Sequence, residues 1–286
     1  MIQVAGDACS TVKMCDVLEV SRSAYYQWLQ DKQNGHLSAH IRRDQELSRL
    51  LLQLHCECPS YGLDTLHAQL RKKQPVGRKR IGRLMRALDI CSNRKRAYKG
   101  TTNSRHSHPI APNLLQRRFT IPAPNLGWVG DITYIPTDEG FAYTAIVKDL
   151  FHHKVVGYAT SSRIDSHLVV DALSMALRRE KPGKGLIFHS DRGVQYASQA
   201  FRDTLKSAGI RQSMSRKGDP YDNAVSESFF SAMKCEMVHQ MHFQTRAQAK
   251  HAVFSYIEGF YNTRRIQRSL GWKTPCEFER ANRRAA

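Results

Sequence analysis

Apolar residues recur at two different spacings along this chain, and the change falls near residue 125. Before it the period is helical. Val12, Cys15 and Leu18 share one face of a predicted helix over 11–18, and Ser21 is placed to cap a second helix over 22–29 that carries Tyr25, Tyr26 and Trp28. That pair reads equally as a helix-turn-helix or as a helical hairpin burying its aromatics. Residues 40–56 repeat the pattern through Ile41, Leu47, Leu50, Leu51 and Leu54. Pro59-Ser-Tyr-Gly62 interrupts it, and Leu63, Leu66 and Leu70 resume it. Over 77–90, Ile81, Leu84, Met85 and Leu88 line up at helical spacing. Residues 92–125 are rich in Asn, Ser, His, Pro and basic residues without any period, which predicts a linker.

After residue 125 the runs shorten and become β-rich. Residues 128–135, 141–148 and 154–160 predict three consecutive antiparallel strands, parted by Thr137-Asp-Glu-Gly140 and Leu150-Phe-His-His153. A helix over 166–180 stops at Pro182-Gly183. A fourth strand over 185–189 runs into Asp191, and a helix near 198–208, a strand near 210–214 and a loop over 215–222 follow. A long helix then begins near Asn223 and reaches about Val238. The fold class this implies is α/β, a layered core preceded by an all-α region. The expected divisions are 1–35, 36–118 and 119–286.

Charge adds a partner to this picture. The 286 residues carry a formal net charge of +19, and 71–118 hold fifteen Lys/Arg against one acid, Asp89. A polyanion fits such a segment, with a solvated charged surface as the plainer alternative. Arg78, Lys79, Arg80, Arg83 and Arg86 lie beside the apolar stripe of 77–90, as in a helix resting on DNA phosphates. The seven cysteines are scattered and unpaired by spacing, which fits reduced thiols. His55-Cys-Glu-Cys58 lacks a second ligand pair for zinc, and His106/His108 and His152/His153 read as loop residues rather than ligands. No apolar run is long enough to span a membrane and no signal-like N-terminus is present, so a soluble, cytoplasmic protein is expected.

Three acids stand out. Asp131 sits inside an apolar strand run, where an unpartnered carboxylate is costly. Asp191 follows the apolar run Leu186-Ile-Phe188 at a predicted strand end, where α/β sheets bind ligands. Glu227 lies in the first turn or two of its predicted helix, and Lys234 returns to nearly the same face seven residues later. Read singly, each has a plain alternative: an edge-strand aspartate, a turn-capping aspartate, a surface helix residue. Together they form the kind of carboxylate set that holds two divalent metals for phosphodiester chemistry.

The motifs around these acids resemble the transposases of the insertion-sequence-3 family, within the retroviral-integrase-like DDE superfamily. The matching stretches are Trp128-Val-Gly-Asp-Ile-Thr-Tyr134, His189-Ser-Asp-Arg-Gly-Val-Gln-Tyr196, Ser213-Met-Ser-Arg-Lys-Gly218, Tyr221-Asp-Asn-Ala-Val-Ser-Glu227, Tyr261-Asn-Thr-Arg264 and Leu270-Gly-Trp-Lys-Thr-Pro275. Val20-Ser-Arg-Ser-Ala-Tyr-Tyr26, Pro59-Ser-Tyr-Gly62 and Arg80-Ile-Gly-Arg-Leu-Met85 resemble the helical DNA-binding region of such proteins. The resemblance implies an RNase-H-like integrase catalytic core in which Asp131, Asp191 and Glu227 bind two Mg²⁺ (or Mn²⁺) ions, with Lys234 at the family's basic position. It implies DNA partners, both terminal repeats and target, contacted by Lys234, Lys217 and the basic helix. It further implies a homo-oligomer on DNA. Members commonly make two overlapping reading frames joined by frameshifting, and this chain resembles the downstream product alone, with an upstream-frame product or a fused form as a further partner. Gln267 stands where many relatives place a His, and Asp219 where Asn is usual. The implied activity is metal-dependent DNA cleavage and strand transfer. The competing readings are an inactive DNA-binding regulator and a nuclease on the same fold.

Overall fold

Five strands form the sheet: β1 (Gly127–Ile135), β2 (Ala142–Asp149), β3 (Val155–Ser161), β4 (Ile187–Ser190) and β5 (Arg211–Met214). Their order is β3-β2-β1-β4-β5, in the computed structural model that describes residues 10–33, 39–93, 108–216 and 220–283. As the alternating runs predict, β1, β2 and β3 pair antiparallel, whereas β4 and β5 join parallel to β1 through helical crossovers. Alternation along β2 assigns its side chains to two layers. Ala145 and Val147 meet α6 (Ser166–Glu180), α7 (Val194–Ala197) and α8 (Gln199–Ser207) on one face. Ile146 meets Phe229 and Met233 of α9 (Ala224–Glu236) on the other, together with α10 (Arg246–Phe254) and its π-helical continuation Ser255–Tyr261. A last helix, α11 (Pro275–Arg283), closes the described chain.

Local chemistry sets the boundaries. Asp165 accepts a hydrogen bond from Leu168 N at the start of α6, and Lys181 adopts a left-handed conformation at its end, one residue before Pro182. Gly157 of β3 lies where α6 crosses most closely. A Cβ there would stand 2.2 Å from the carbonyl oxygen of Ala172.

Among the described residues, the N-terminal region holds helices α1 (Thr11–Val17), α2 (Arg22–Gln33), α3 (Ala39–Glu57), α4 (Leu63–Lys73) and α5 (Arg78–Ala87), and no strand. Ser21 caps α2 by accepting from Ala24 N at 3.1 Å. No residue of α2 is buried, and Tyr25 stacks on Trp28 instead of entering a core, so the buried-aromatic hairpin is not what forms. Helices α3, α4 and α5 share a compact core of Leu47, Leu51, Leu66, Leu70, Ile81, Leu84 and Met85. That unit is fastened to the sheet-bearing half through Glu236, the last residue of α9. Its carboxylate accepts from Ser60 Oγ at 2.9 Å, Tyr256 OH at 2.7 Å and Arg265 Nε at 2.9 Å. Among the described residues, no helix is long and apolar enough to cross a membrane.

The linker expected over 92–125 requires correction. Residues 94–107 lie outside the described residues. From residue 108 onward, though, the chain is a strap docked on the sheet. Leu115 is buried with Val129 and Leu150. Leu114 N donates to Ser213 Oγ at 2.9 Å, Asn113 Nδ2 to Asp222 Oδ2 at 2.9 Å, and Arg117 Nε to Asp222 Oδ1 at 3.1 Å. A segment without periodicity gave no sign of this, because its anchors are side-chain hydrogen bonds to residues about a hundred positions away.

Two outcomes follow from these contacts. Gly157→Ala forces α6 off the sheet, and urea denaturation should show a loss of about 1–3 kcal/mol. Asp222 is the second case. Burial alone raises its carboxyl pKa, but hydrogen bonds from Arg216 and Arg117 outweigh that and pull it down to about 2. An acid with a depressed folded pKa stabilises the fold above its unfolded value and loses that contribution as pH falls through the folded one. Wild type should therefore lose on the order of 2 kcal/mol more than Asp222→Asn between about pH 5 and pH 2, in paired urea titrations.

Candidate active site

Asp131, Asp191 and Glu227 come from three different elements. Asp131 lies in β1, the middle strand of five, which excludes the edge-strand alternative. In the parallel β1–β4 pair, Trp128 sits beside Phe188 and Val129 beside His189. Asp131 and Asp191 each fall two residues beyond that last couple, at the same end of neighbouring strands. Gly130 lets the strands pack this closely over Phe188, whose Cζ would be 2.4 Å from a Cβ at that position. Asp191 also accepts from Gly193 N at 2.9 Å, so the turn-capping role and the strand-end position coexist in one residue. Glu227 is the fourth residue of α9, and α9 packs against β1.

The first residue before α9 ties these parts together. Asn223 occupies the N-cap position but gives its side chain to the acid cluster, donating Nδ2 to Asp131 Oδ2 at 2.9 Å. His189 does the same one layer deeper. Ser213 Oγ accepts from Leu114 N and Leu115 N, so its own proton goes to His189 Nδ1 at 2.8 Å. His189 Nε2 then donates to the carbonyl oxygen of Asp222 at 3.0 Å. Burial lowers the imidazole pKa and keeps the ring neutral, as this tautomer requires. The strand end bearing Asp191, the strap and the turn before Glu227 are thus held by one ring.

Burial and neighbouring acids dominate the electrostatics of the cluster. Burial raises the Asp131 pKa well above the usual carboxylate range, and the charges of Asp191 and Glu227 push it further, against hydrogen bonds from Ile132 N and Asn223. Burial also raises Glu227. Lys234 shifts down through burial while the charge of Asp131 opposes the change, and its ammonium stands 4.8 Å from the Tyr134 ring centre. Tyr196 is driven well up, by burial first and then by Asp131 and Asp191. Among the described residues, Tyr196 OH, Asn223 Oδ1 and Ser226 Oγ are buried with no hydrogen-bond partner. Oxygen donors that repel one another, beside orphaned polar atoms, suit hard divalent cations such as Mg²⁺ or Mn²⁺.

A tighter ligand group exists elsewhere. The ligand atoms of His152, Glu180 and Glu279 all lie within 4.8 Å of one another, a spacing the acid triad does not meet. Lys154 Nζ already bonds Glu180 at 3.2 Å and Glu279 at 3.1 Å, so a lysine answers that charge.

The expected DNA-contacting residues divide. Arg78 pairs with Asp64 at 2.7 Å, while Arg80 and Arg83 both pair with Asp44. Acids from α3 and α4 thus partly neutralise a helix that looks uniformly basic in sequence. Arg86 Nε donates to Gly82 O, and Lys79 is exposed. Lys217 and Asp219 lie outside the described residues. Asn223, His189, Tyr196 and Asp222 were not singled out beforehand. Each sits inside a motif already quoted, and position in the motif was the only signal available.

Comparison with known proteins agrees with this geometry. The integrase core domain family matches residues 122–220 and, in a second part, 227–282, and an HTH-like domain matches 42–98. The HTH-like match covers α3 to α5 and not the α1–α2 pair. The insertion element IS600 31 kDa protein of Shigella sonnei is 40% identical over 93% of this chain and 97% of its own. The transposase InsF for insertion sequence IS3A of Escherichia coli K12 is 37% identical over 94% of this chain and 93% of its own. The transposase for insertion sequence element IS904 of Lactococcus lactis is 43% identical over 71% of this chain and 81% of its own. With those motifs on one sheet and those relatives along nearly its full length, the chain belongs to the insertion-sequence-3 family of transposases, an integrase core preceded by an HTH-like helical domain.

Proposed function

We propose that this protein cuts DNA at the ends of an insertion element and joins the freed 3′-hydroxyl to target DNA, with Asp131, Asp191 and Glu227 as the catalytic, metal-holding residues. The observation that carries the reading is the convergence of three carboxylates from β1, the end of β4 and α9, with buried Asp131 raised in pKa by burial and then by Asp191 and Glu227. Two divalent ions, when bound there, supply an activated oxygen nucleophile and stabilise the leaving oxygen of the phosphodiester.

The chain's own residues do the remaining work. Asn223 fixes one oxygen of Asp131 and so orients the other. His189 holds the end of β4 and thereby Asp191. Lys234, on the face of α9 that carries Glu227, is placed to grip a phosphate beside the scissile bond. Lys79 and Arg86, with Arg78, Arg80 and Arg83 when DNA competes for their acids, would track the duplex backbone. Handling two element ends requires more than one copy of the chain, and an upstream-frame segment would add end recognition.

Asp131→Asn, Asp191→Asn and Glu227→Gln should each lower Mg²⁺-dependent joining of labelled element ends by on the order of a thousandfold or more, with DNA affinity changed less than about threefold. Full joining by any one of them would sink the assignment. Cleavage without joining in wild type would instead point to a nuclease, and tight binding without nicking to a regulator. In EDTA, Asp131→Asn should raise the melting temperature, because it removes one of three repelling charges. A fall would mean that the acids do not meet.

A further inference from the structure

A cleft of about 620 Å³ opens beside α9, and nothing in the reaction above uses it. Ser228, Ser231 and Cys235 contribute to its wall. At about 100° per residue, that flank lies roughly a quarter turn around the helix from Glu227 and Lys234. Its floor is Lys148 of β2. Lys148 pairs with Val129 across the strands, as Ile146 pairs with Asp131. Alternate residues share a face, so Lys148 and Asp131 are on the same side of the sheet, under the same helix.

Lys148 is 4% exposed, and no acid lines the cleft. Among the described residues no carboxylate is paired with it, and its ammonium is recorded against the Tyr261 ring, 5.9 Å from the centroid. The other cation at the cleft, Arg265, is already matched by Glu236. A buried ammonium without a counter-charge is costly, and that cost falls when an anion arrives.

A second, independent observation points the same way. Gln267 is 8% exposed and its Oε1 accepts from His153 Nδ1 at 3.1 Å, which leaves its Nε2 buried without a partner. The backbone of Gln267 is pinned by its N–H to Lys273 O at 3.0 Å and by its carbonyl accepting from Trp272 N at 2.9 Å, so this donor is preorganised. His153 adds a neighbour but no charge. Burial, then the nearby Lys148, holds its pKa down to about 4.

We infer that this cleft receives a backbone phosphate of bound DNA, with Lys148 as the charge partner and Gln267 Nε2 as the hydrogen-bond donor. The identity of the polyanion rests on the proposed function. A phosphate here would lie on DNA that runs past the catalytic carboxylates, with α9 between the two contacts.

The test is binding of a nonspecific duplex of about thirty base pairs in EDTA, by fluorescence anisotropy over about 50 to 200 mM KCl. Lys148→Met should bind roughly tenfold more weakly, with the slope of log affinity against log salt reduced by about 0.9, one phosphate contact. Its melting temperature should hold or rise, since an unpaired buried charge has been removed. Gln267→Leu should weaken binding about threefold with an unchanged slope, because a neutral donor displaces no counterion. Lys250→Met, an exposed control, should change neither. Wild-type affinity and slope in Lys148→Met would overturn the inference. So would a weaker affinity accompanied by a drop in melting temperature, or stabilisation by inorganic phosphate with DNA binding unaffected. Joining by wild type is read separately: if it persists while Lys148→Met binds normally, only this inference falls, and if wild type neither binds nor joins, the proposed function falls too.

Discussion

Mutual repulsion among carboxylates is the constraint around which this fold is arranged. Asp131 is buried, and the charges of Asp191 and Glu227 raise its cost of ionisation further, while burial raises that of Glu227. Such a cluster persists only if its surroundings hold it rigidly. Asn223 gives up its capping role to bind Asp131, His189 spends both ring nitrogens joining β4 to the turn before α9, and the 108–118 strap is fastened to the same turn. The polar atoms left without partners, on Tyr196, Asn223 and Ser226, lie in this region too. Strain of this kind is what a site poised for metal and phosphate would carry.

Asp222 and Asp131 form an instructive pair. They are joined through a single intervening residue, Asn223, yet their acidities move in opposite directions. Asp222 is fully enclosed by donors from Asn113, Arg117 and Arg216 and acts as a structural anion. Asp131 faces two other carboxylates, which push its acidity the other way. Environment alone separates two identical side chains into a rivet and a proposed metal ligand.

Much of this was legible in the chain because alternation and helical period are local properties. The three antiparallel strands, α6 and the helix bearing Glu227 fall where the pattern puts them. What failed to show was non-local. Asp44 and Asp64 neutralise arginines of α5 from earlier helices, and the strap finds Ser213 and Asp222 across a hundred residues. Lys148 simply closes the predicted strand over 141–148. Only the arrival of α9 and the 265–269 segment over it makes it a buried charge. Likewise Gln267, noted merely as a departure from relatives, gained meaning once its donor was seen to be unpaired.

The knot at Glu236 has a mechanical side. Glu227 and Glu236 are at opposite ends of one helix, about 13 Å apart along its axis. The far end is gripped simultaneously by Ser60 of the HTH-like unit and by Tyr256 and Arg265 of the C-terminal segment. A displacement of the helical unit therefore reaches Glu227 through a rigid rod rather than through a tether. In this chain, the HTH-like unit and the proposed catalytic acids share one handle.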